Sequence, residues 1–214
     1  MAAYLITGAT GLIGKALCQR LLNNGETVFA LSRDCQKATN ILGSQVQCVE
    51  SVNALPAERH IDVVINLAGA PIADKRWTAE RKQKLLESRA IYTRDLIQQL
   101  AKRSSLPHSL ISGSAVGWYG DQGDTILTED SSFKPEFSHE LCQQWEDAAL
   151  TAESLGIRVA IIRTGLVVAP KGGFLGKMIL PFKLGLGGAI SDGHRAGDVT
   201  SDADPTTAAE ATVV

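Results

Sequence analysis

No apolar run in these 214 residues reaches the roughly 20 that a membrane-spanning helix needs. The chain opens on Ala3-Tyr4-Leu5-Ile6, which reads as a strand, without the basic segment and apolar core of a secretion signal. Charge of one sign is lacking as well: 21 Lys and Arg face 23 Asp and Glu, a formal charge of −2 with no basic cluster. That balance removes the electrostatic footprint of a nucleic-acid binder or of a protein drawn to anionic lipid, so neither nucleic acid nor membrane is an expected partner. Cysteine is sparse. Cys18, Cys35, Cys48 and Cys142 form no CxxC pair and have no histidine at ligand spacing, so neither a disulfide framework nor a zinc site is expected. The chain reads as cytoplasmic and reduced. With 44% hydrophobic residues it can bury the core of a single large α/β domain.

The most informative segment that is present is Thr7-Gly8-Ala9-Thr10-Gly11-Leu12-Ile13-Gly14, directly after the apolar run. A strand, a glycine-rich turn and a helix start in that order present backbone N–H groups and a positive helix end to a pyrophosphate. In this GxxGxxG spacing Gly8 supplies the turn, Gly11 the close approach of backbone to phosphate, and Gly14 the close packing of the helix. A dinucleotide is the expected ligand, touched by Gly8, Thr10, Gly11, Leu12, Ile13 and Gly14. Leu17, Leu21 and Leu22 continue the helix to Asn23-Asn24-Gly25, and Thr27-Val28-Phe29-Ala30-Leu31 follows as a buried parallel strand. After that strand, where a carboxylate would hold the ribose hydroxyls of NAD, stands Ser32-Arg33. A guanidinium there pairs with a 2′-phosphate, so NADP is favoured. The alternative is a solvated Arg33, with Asp34 as the ribose carboxylate.

Strand and helix signals keep alternating. Val46-Gln47-Cys48-Val49 and Ile61 to Leu67 read as strands, the latter ending in Ala68-Gly69-Ala70-Pro71, where Asn66, Leu67, Ala68 and Gly69 are expected at the cofactor. For Asn66 alone, a strand end with turn residues is the competing reading. From Thr78 to Arg103 a long helix is predicted, capped by Thr78, with Leu86, Ala90, Thr93, Ile97 and Leu100 as one apolar stripe. Ser109-Leu110-Ile111-Ser112 is the next strand, and it runs into Gly113-Ser114-Ala115-Val116-Gly117-Trp118-Tyr119-Gly120-Asp121. A helix from about Ser138 to Leu155 carries Trp145, read as core over a substrate platform, and Glu146, for which a solvated charge is one reading. Ile157 to Arg163 forms a sixth strand, ending in Thr164-Gly165.

With these segments in order, together with Pro170-Lys171-Gly172-Gly173, the chain resembles the extended short-chain dehydrogenases/reductases. Within them it is similar to an atypical group of sugar-nucleotide epimerase relatives, over residues 1 to about 188. The resemblance implies a Rossmann-type, doubly wound, mostly parallel α/β sheet with NADP across the carboxyl ends of its strands and Arg163 among the cofactor contacts. It also implies a small polar, nucleotide-sugar-like substrate. It places Ser114 as the serine that orients the substrate oxygen. The superfamily's catalytic Tyr and Lys fall at Ser138 and Cys142 here, so the chain has no YxxxK. Tyr119 is a substitute acid, with packing as the competing role.

The expected division is a nucleotide-binding domain over residues 1–170, the start of a substrate lobe over 171–188 and a polar tail over 189–214. The tail has the composition of a disordered segment, from a truncated or altered product or from a genuine short form. The functional expectation is an NADP-dependent oxidoreductase or epimerase. The alternative is a cofactor-binding sensor or scaffold without turnover. Oligomeric state is not legible.

Overall fold

Each predicted apolar run becomes a strand of one sheet. The computed structural model describes residues 1–56 and 58–169, and beyond them only 173, 179, 182–184 and 212–213. Strands β1 (Ala3–Thr7), β2 (Thr27–Leu31), β3 (Gln47–Val49), β4 (Val63–Asn66), β5 (Ser109–Ala115) and β6 (Arg158–Thr164) lie in the order β3-β2-β1-β4-β5-β6. The pairings from β3 through β5 are parallel, with Thr7 level with Leu31 and Asn66, and Asn66 level with Ser112. The carboxyl ends of β1, β4 and β5 therefore stand in one row. Chain order reverses at β1, which has β2 on one side and β4 on the other, and open α/β sheets bind their ligands at such a switch point.

Helices cover both faces because successive side chains of a strand point to opposite sides. Leu5, Phe29, Leu31 and Val64 pack with Leu96, Ile97 and Leu100 on one face. Ile6, Val28, Ala30 and Ile65 pack with Cys18 and Leu21 on the other. The helices are α1 (Leu12–Asn23), α2 (Cys35–Leu42), α3 (Ala79–Leu86), α4 (Tyr92–Leu100) and α5 (Phe137–Leu150). Thr78 caps α3 as expected, its side chain accepting from Arg81 N. A π-helical turn, Glu87–Ile91, joins α3 to α4 without a break. It corrects the predicted stripe, because burial steps by five residues from Leu85 to Ala90 before Thr93, Leu96, Ile97 and Leu100 resume the α-helical spacing, and Leu86 is only partly buried.

Cysteine pairing is also corrected. Cys35 and Cys48 are joined in a disulfide with their Cα atoms 5.4 Å apart. Leu31 lies level with Val49, so the first residue of α2 comes down beside β3, an adjacency that 13 residues of sequence conceal. Cys18 and Cys142 are buried. Among the described residues no helix is long and apolar enough to cross a membrane.

The chain forms two compact units. Residues 1–114 with 140–162 make the first, and residues 115–139 with those from 163 onward make the second. The latter includes β7 (Val167–Ala169), paired antiparallel with β8 (Thr212–Val213). Apart from those scattered positions, the expected lobe start at 171–188 and the polar tail at 189–214 lie outside the described residues.

Candidate functional site

A cavity of about 990 Å³ opens in the first unit along the carboxyl edge of the sheet. Its wall is formed by Gly8, Ala9, Thr10 and Gly11 after β1, by Leu31, Ser32 and Arg33 after β2, and by Leu67 to Pro71 after β4, with Ser88, Ile91 and Tyr92 closing it from the long helix. Three glycines shape the turn by different means. Gly8 sits at φ +67°, and a Cβ there would come within 2.6 Å of Leu67 O. A Cβ on Gly14 would overlap the Gly8 carbonyl and lie 2.7 Å from Ala9 Cα, so α1 approaches its own turn only because that residue is bare. A Cβ on Gly11 would meet only Gly8 O at 3.1 Å, which leaves this part of the wall open to a ligand. Gly11 caps α1 without a side chain, and the first turn of that helix has no acidic residue, so its positive end is free to face an anion. Leu12 and Ile13 begin α1 with side chains 37% exposed; they, Gly14 and Asn66 are not part of the cavity wall.

At the end of β2 the two charged residues take different places. The Asp34 carboxylate accepts from Lys37 N at 2.9 Å and thereby caps α2. Arg33 lines the cavity, and its charge acts on Tyr92, another wall residue. Burial pushes the Tyr92 phenol pKa up, and Arg33 opposes that shift.

Behind the wall lies a buried polar row. Thr7 Oγ1 donates to Asn66 Oδ1 at 2.8 Å and accepts from Leu67 N and Ala68 N, each at 3.1 Å. Asn66 Nδ2 donates to Thr93 Oγ1 at 2.8 Å and to Ser112 Oγ at 3.3 Å. Asn66 has no exposed surface, so it knits β1, β4, β5 and α4 together from behind the wall that Leu67, Ala68 and Gly69 form. The π-helical turn grips the same loop. Ser88 Oγ accepts from Ala70 N at 2.9 Å and Arg89 Nη2 donates to Ala70 O at 3.0 Å. The Arg89 guanidinium also lies 5.3 Å from the Trp145 ring centre and fills the space beside Gly69. Burial lowers its pKa, while the nearby Cys142 works against that shift. Single π turns recur at functional sites, where the extra residue re-aims side chains.

Ser114 stands near the end of β5, two residues beyond the registered Asn66–Ser112 pair and so at the same edge as Ala68. Its Oγ donates to Glu146 Oε1 at 2.5 Å, with Ser114 5% and Glu146 7% exposed. Glu146 is thus a buried partner of Ser114, which corrects its reading as a solvated charge. The legible signal was its place on one helical stripe of α5 with Cys142 and Ala149, both buried. Trp145 is buried, as its reading as core requires, and packs where Gly113 leaves room, 3.2 Å from an added Cβ.

Tyr119 and Arg163 belong to the second unit. The Tyr119 ring is buried, its hydroxyl accepts from Arg163 Nη1 at 3.0 Å, and the guanidinium stacks 3.8 Å from the centre of the Trp118 ring. His139 is buried nearby, stacked on Phe133 and bonded through Nδ1 to Trp118 O. Neither Tyr119 nor Arg163 lines the cavity of the first unit.

A doubly wound sheet with a glycine turn at its switch point defines a Rossmann-type nucleotide-binding protein. The chain belongs to the NAD dependent epimerase/dehydratase family, whose model matches residues 4–193. It is 36% identical over 196 residues to an epimerase family protein of Staphylococcus aureus (strain MRSA252), covering 91% of this chain and 65% of that one. It is 38% identical over 193 residues to the epimerase family protein YfhF of Bacillus subtilis (strain 168), covering 89% and 63%. The chain therefore spans a little under two thirds of the length of these curated relatives. Among solved structures, human epimerase family protein SDR39U1 (isoform 2) with NADPH superposes at TM-score 0.74 and 31% identity, over 90% of this chain and 63% of that one. A Bacillus cereus UDP-glucuronic acid 4-epimerase with UDP-glucuronic acid and NAD reaches 0.70 at 22% identity, over 85% and 63%, which speaks for the fold alone.

Proposed function

We propose that the protein binds NADP at this cavity and serves as an oxidoreductase or epimerase for a small polar, nucleotide-sugar-like substrate. The observation that carries the reading is the pair of anchors on one cavity wall: a glycine turn at the uncapped, acid-free start of α1, and Arg33 after β2 with the adjacent carboxylate occupied in a helix cap. The residues fit the nucleotide. The turn amides suit its pyrophosphate, Arg33 its 2′-phosphate, and the loop from Leu67 to Gly69 its flank. When bound, the nicotinamide ring gives or takes a hydride. Ser114 is the candidate that orients the substrate oxygen, and Tyr119, whose hydroxyl accepts from Arg163, is the candidate substitute acid.

A reading as a binding protein without turnover is favoured by one observation, the absence of YxxxK. Fluorescence titration with NADPH and NADH tests the cofactor assignment. NADPH is expected to bind more tightly by about 1.5–3 kcal/mol, the range of a charge-assisted bond, and Arg33→Ala to remove most of that difference. Equal affinities in the unaltered chain would refute it. Turnover with a sugar-nucleotide panel separates the two functional readings.

A further inference from the structure

We propose that the Cys35–Cys48 disulfide is a dithiol-reducible clasp that sets how firmly the protein holds the 2′-phosphate end of its nucleotide. The inference rests on the NADP reading above. Its basis is where the bond falls. Arg33 stands two residues before Cys35 and Glu50 two residues after Cys48, and both line the cavity, with Ser32 and Ser51 beside them. One covalent link therefore ties together the wall segments that follow β2 and β3. Cys18 and Cys142 are buried, whereas Cys35 and Cys48 are each partly exposed, so a reductant in solvent meets this pair first. The noncovalent hold around the bond is uneven. Ser32 N donates to Val49 O at 3.0 Å, which keeps Ser32 on β3 whatever the state of the sulfurs. Beyond it, the eight-residue α2 fully buries only Ala38, with Leu42 packed at its far end and the Asp34 cap acting within the helix itself. A helix of that length is marginal in water without outside anchorage. Arg33 lies between the fixed Ser32 and the helix that the disulfide pins, so cleaving the bond loosens Arg33 and leaves the sheet intact.

The exchange balances as follows. A thiolate of a dithiol reductant attacks one sulfur of the pair, the S–S bond breaks, and its electron pair leaves on the other protein sulfur, which takes up a proton. The second thiol of the reductant, as thiolate, attacks the mixed disulfide and releases the first protein sulfur, which is protonated in turn. The protein gains two electrons and two protons, and the reductant ends as an internal disulfide. Oxidation runs the same exchange backward. Since the oxidised form holds the 2′-phosphate more tightly, bound NADP must by linkage favour the disulfide to the same degree. No turnover is needed for the effect.

The test uses the full chain, air-oxidised or reduced with dithiothreitol, and reads NADPH and NADH binding by fluorescence. Once denatured, the oxidised chain should titrate two thiols and the reduced chain four. Reduction is expected to weaken NADPH binding about fivefold or more, the scale of fixing one residue's backbone again, while the NADH Kd stays within about twofold. A fivefold preference lets saturating NADP⁺ shift the midpoint potential of the pair by about 20 mV toward harder reduction. The Cys35→Ser/Cys48→Ser double variant should bind NADPH as the reduced chain does and be indifferent to dithiothreitol. Circular dichroism should show the reduced chain folded, with a Tm about 6–12 °C lower. An NADPH affinity unmoved by reduction, four thiols in the oxidised chain, a double variant still sensitive to dithiothreitol, or loss of the fold on reduction overturns the clasp alone. Equal affinities for NADPH and NADH in the oxidised chain overturn the NADP reading and the clasp with it.

Discussion

Replacing Asn66 by alanine separates two roles that share one position. If Asn66 touched the cofactor, Asn66→Ala would weaken nucleotide binding and leave folding nearly intact. The structure requires the opposite order of effects. Asn66 is fully buried, accepts from Thr7 at 2.8 Å and donates to Thr93 at 2.8 Å and, more weakly, to Ser112 at 3.3 Å. Alanine removes two good hydrogen bonds worth about 1 kcal/mol each and strands a buried Thr93 hydroxyl, for which the penalty is about 1–3 kcal/mol. Thr7 loses less, because its oxygen still accepts from Leu67 N and Ala68 N. The expected loss is therefore about 3–5 kcal/mol, or roughly 6–20 °C in Tm for a chain of this size. Urea denaturation followed by circular dichroism measures it, and a parallel NADPH titration at low temperature measures binding to the molecules still folded. A loss below about 0.5 kcal/mol with a tenfold or greater drop in affinity would show that Asn66 faces the ligand and that the buried row is misread.

Two further outcomes follow from the glycine turn and from α1. Gly14→Ala drives a methyl into the Gly8 carbonyl and the Ala9 backbone, so a destabilisation of about 1–3 kcal/mol is expected together with weakened nucleotide binding; unchanged melting and affinity would contradict the packing described. Burial pushes the Cys18 thiol pKa up from 9.0 to about 11, so it should resist alkylation at pH 8 until the chain is unfolded. Because the folded state keeps that proton over the window in which the unfolded state releases it, this contribution to stability is complete below pH 9 and falls away between pH 9 and 11. Cys18→Ala should flatten that part of a stability–pH curve.

Local chemistry was legible where each residue's task is set by its immediate neighbours. The strand–GxxGxxG–helix order, the Thr78 cap and the apolar runs announce themselves within a few positions, and the sheet follows once parallel βαβ pairing is assumed. What eluded prediction depends on distant partners. Arg33 and Asp34 stand side by side as letters, and that the Asp34 carboxylate is taken up by Lys37 N shows only once α2 starts at Cys35. Cys35 and Cys48 meet because two strands lie level, a register that no spacing rule encodes. Glu146 looks like any helix-surface acid until β5 places Ser114 against it. Asn66 sits at the expected edge, but its side chain turns into the protein to meet a threonine from a helix 27 residues onward.

The helix between Ala79 and Leu100 contains, in effect, one residue too many. Any single deletion between Glu87 and Ile91 would let the backbone settle into an unbroken α-helix, while turning everything on one side of the cut by about 100° relative to the other. Either Leu85 would leave the core, or Ser88 and Arg89 would lose their hold on Ala70. Among descendants of this chain, the stretch should accordingly accept changes of letter far more readily than changes of length. A sequence comparison that opens a gap here to restore a regular heptad-like pattern would be aligning away the feature that holds the cavity loop in place.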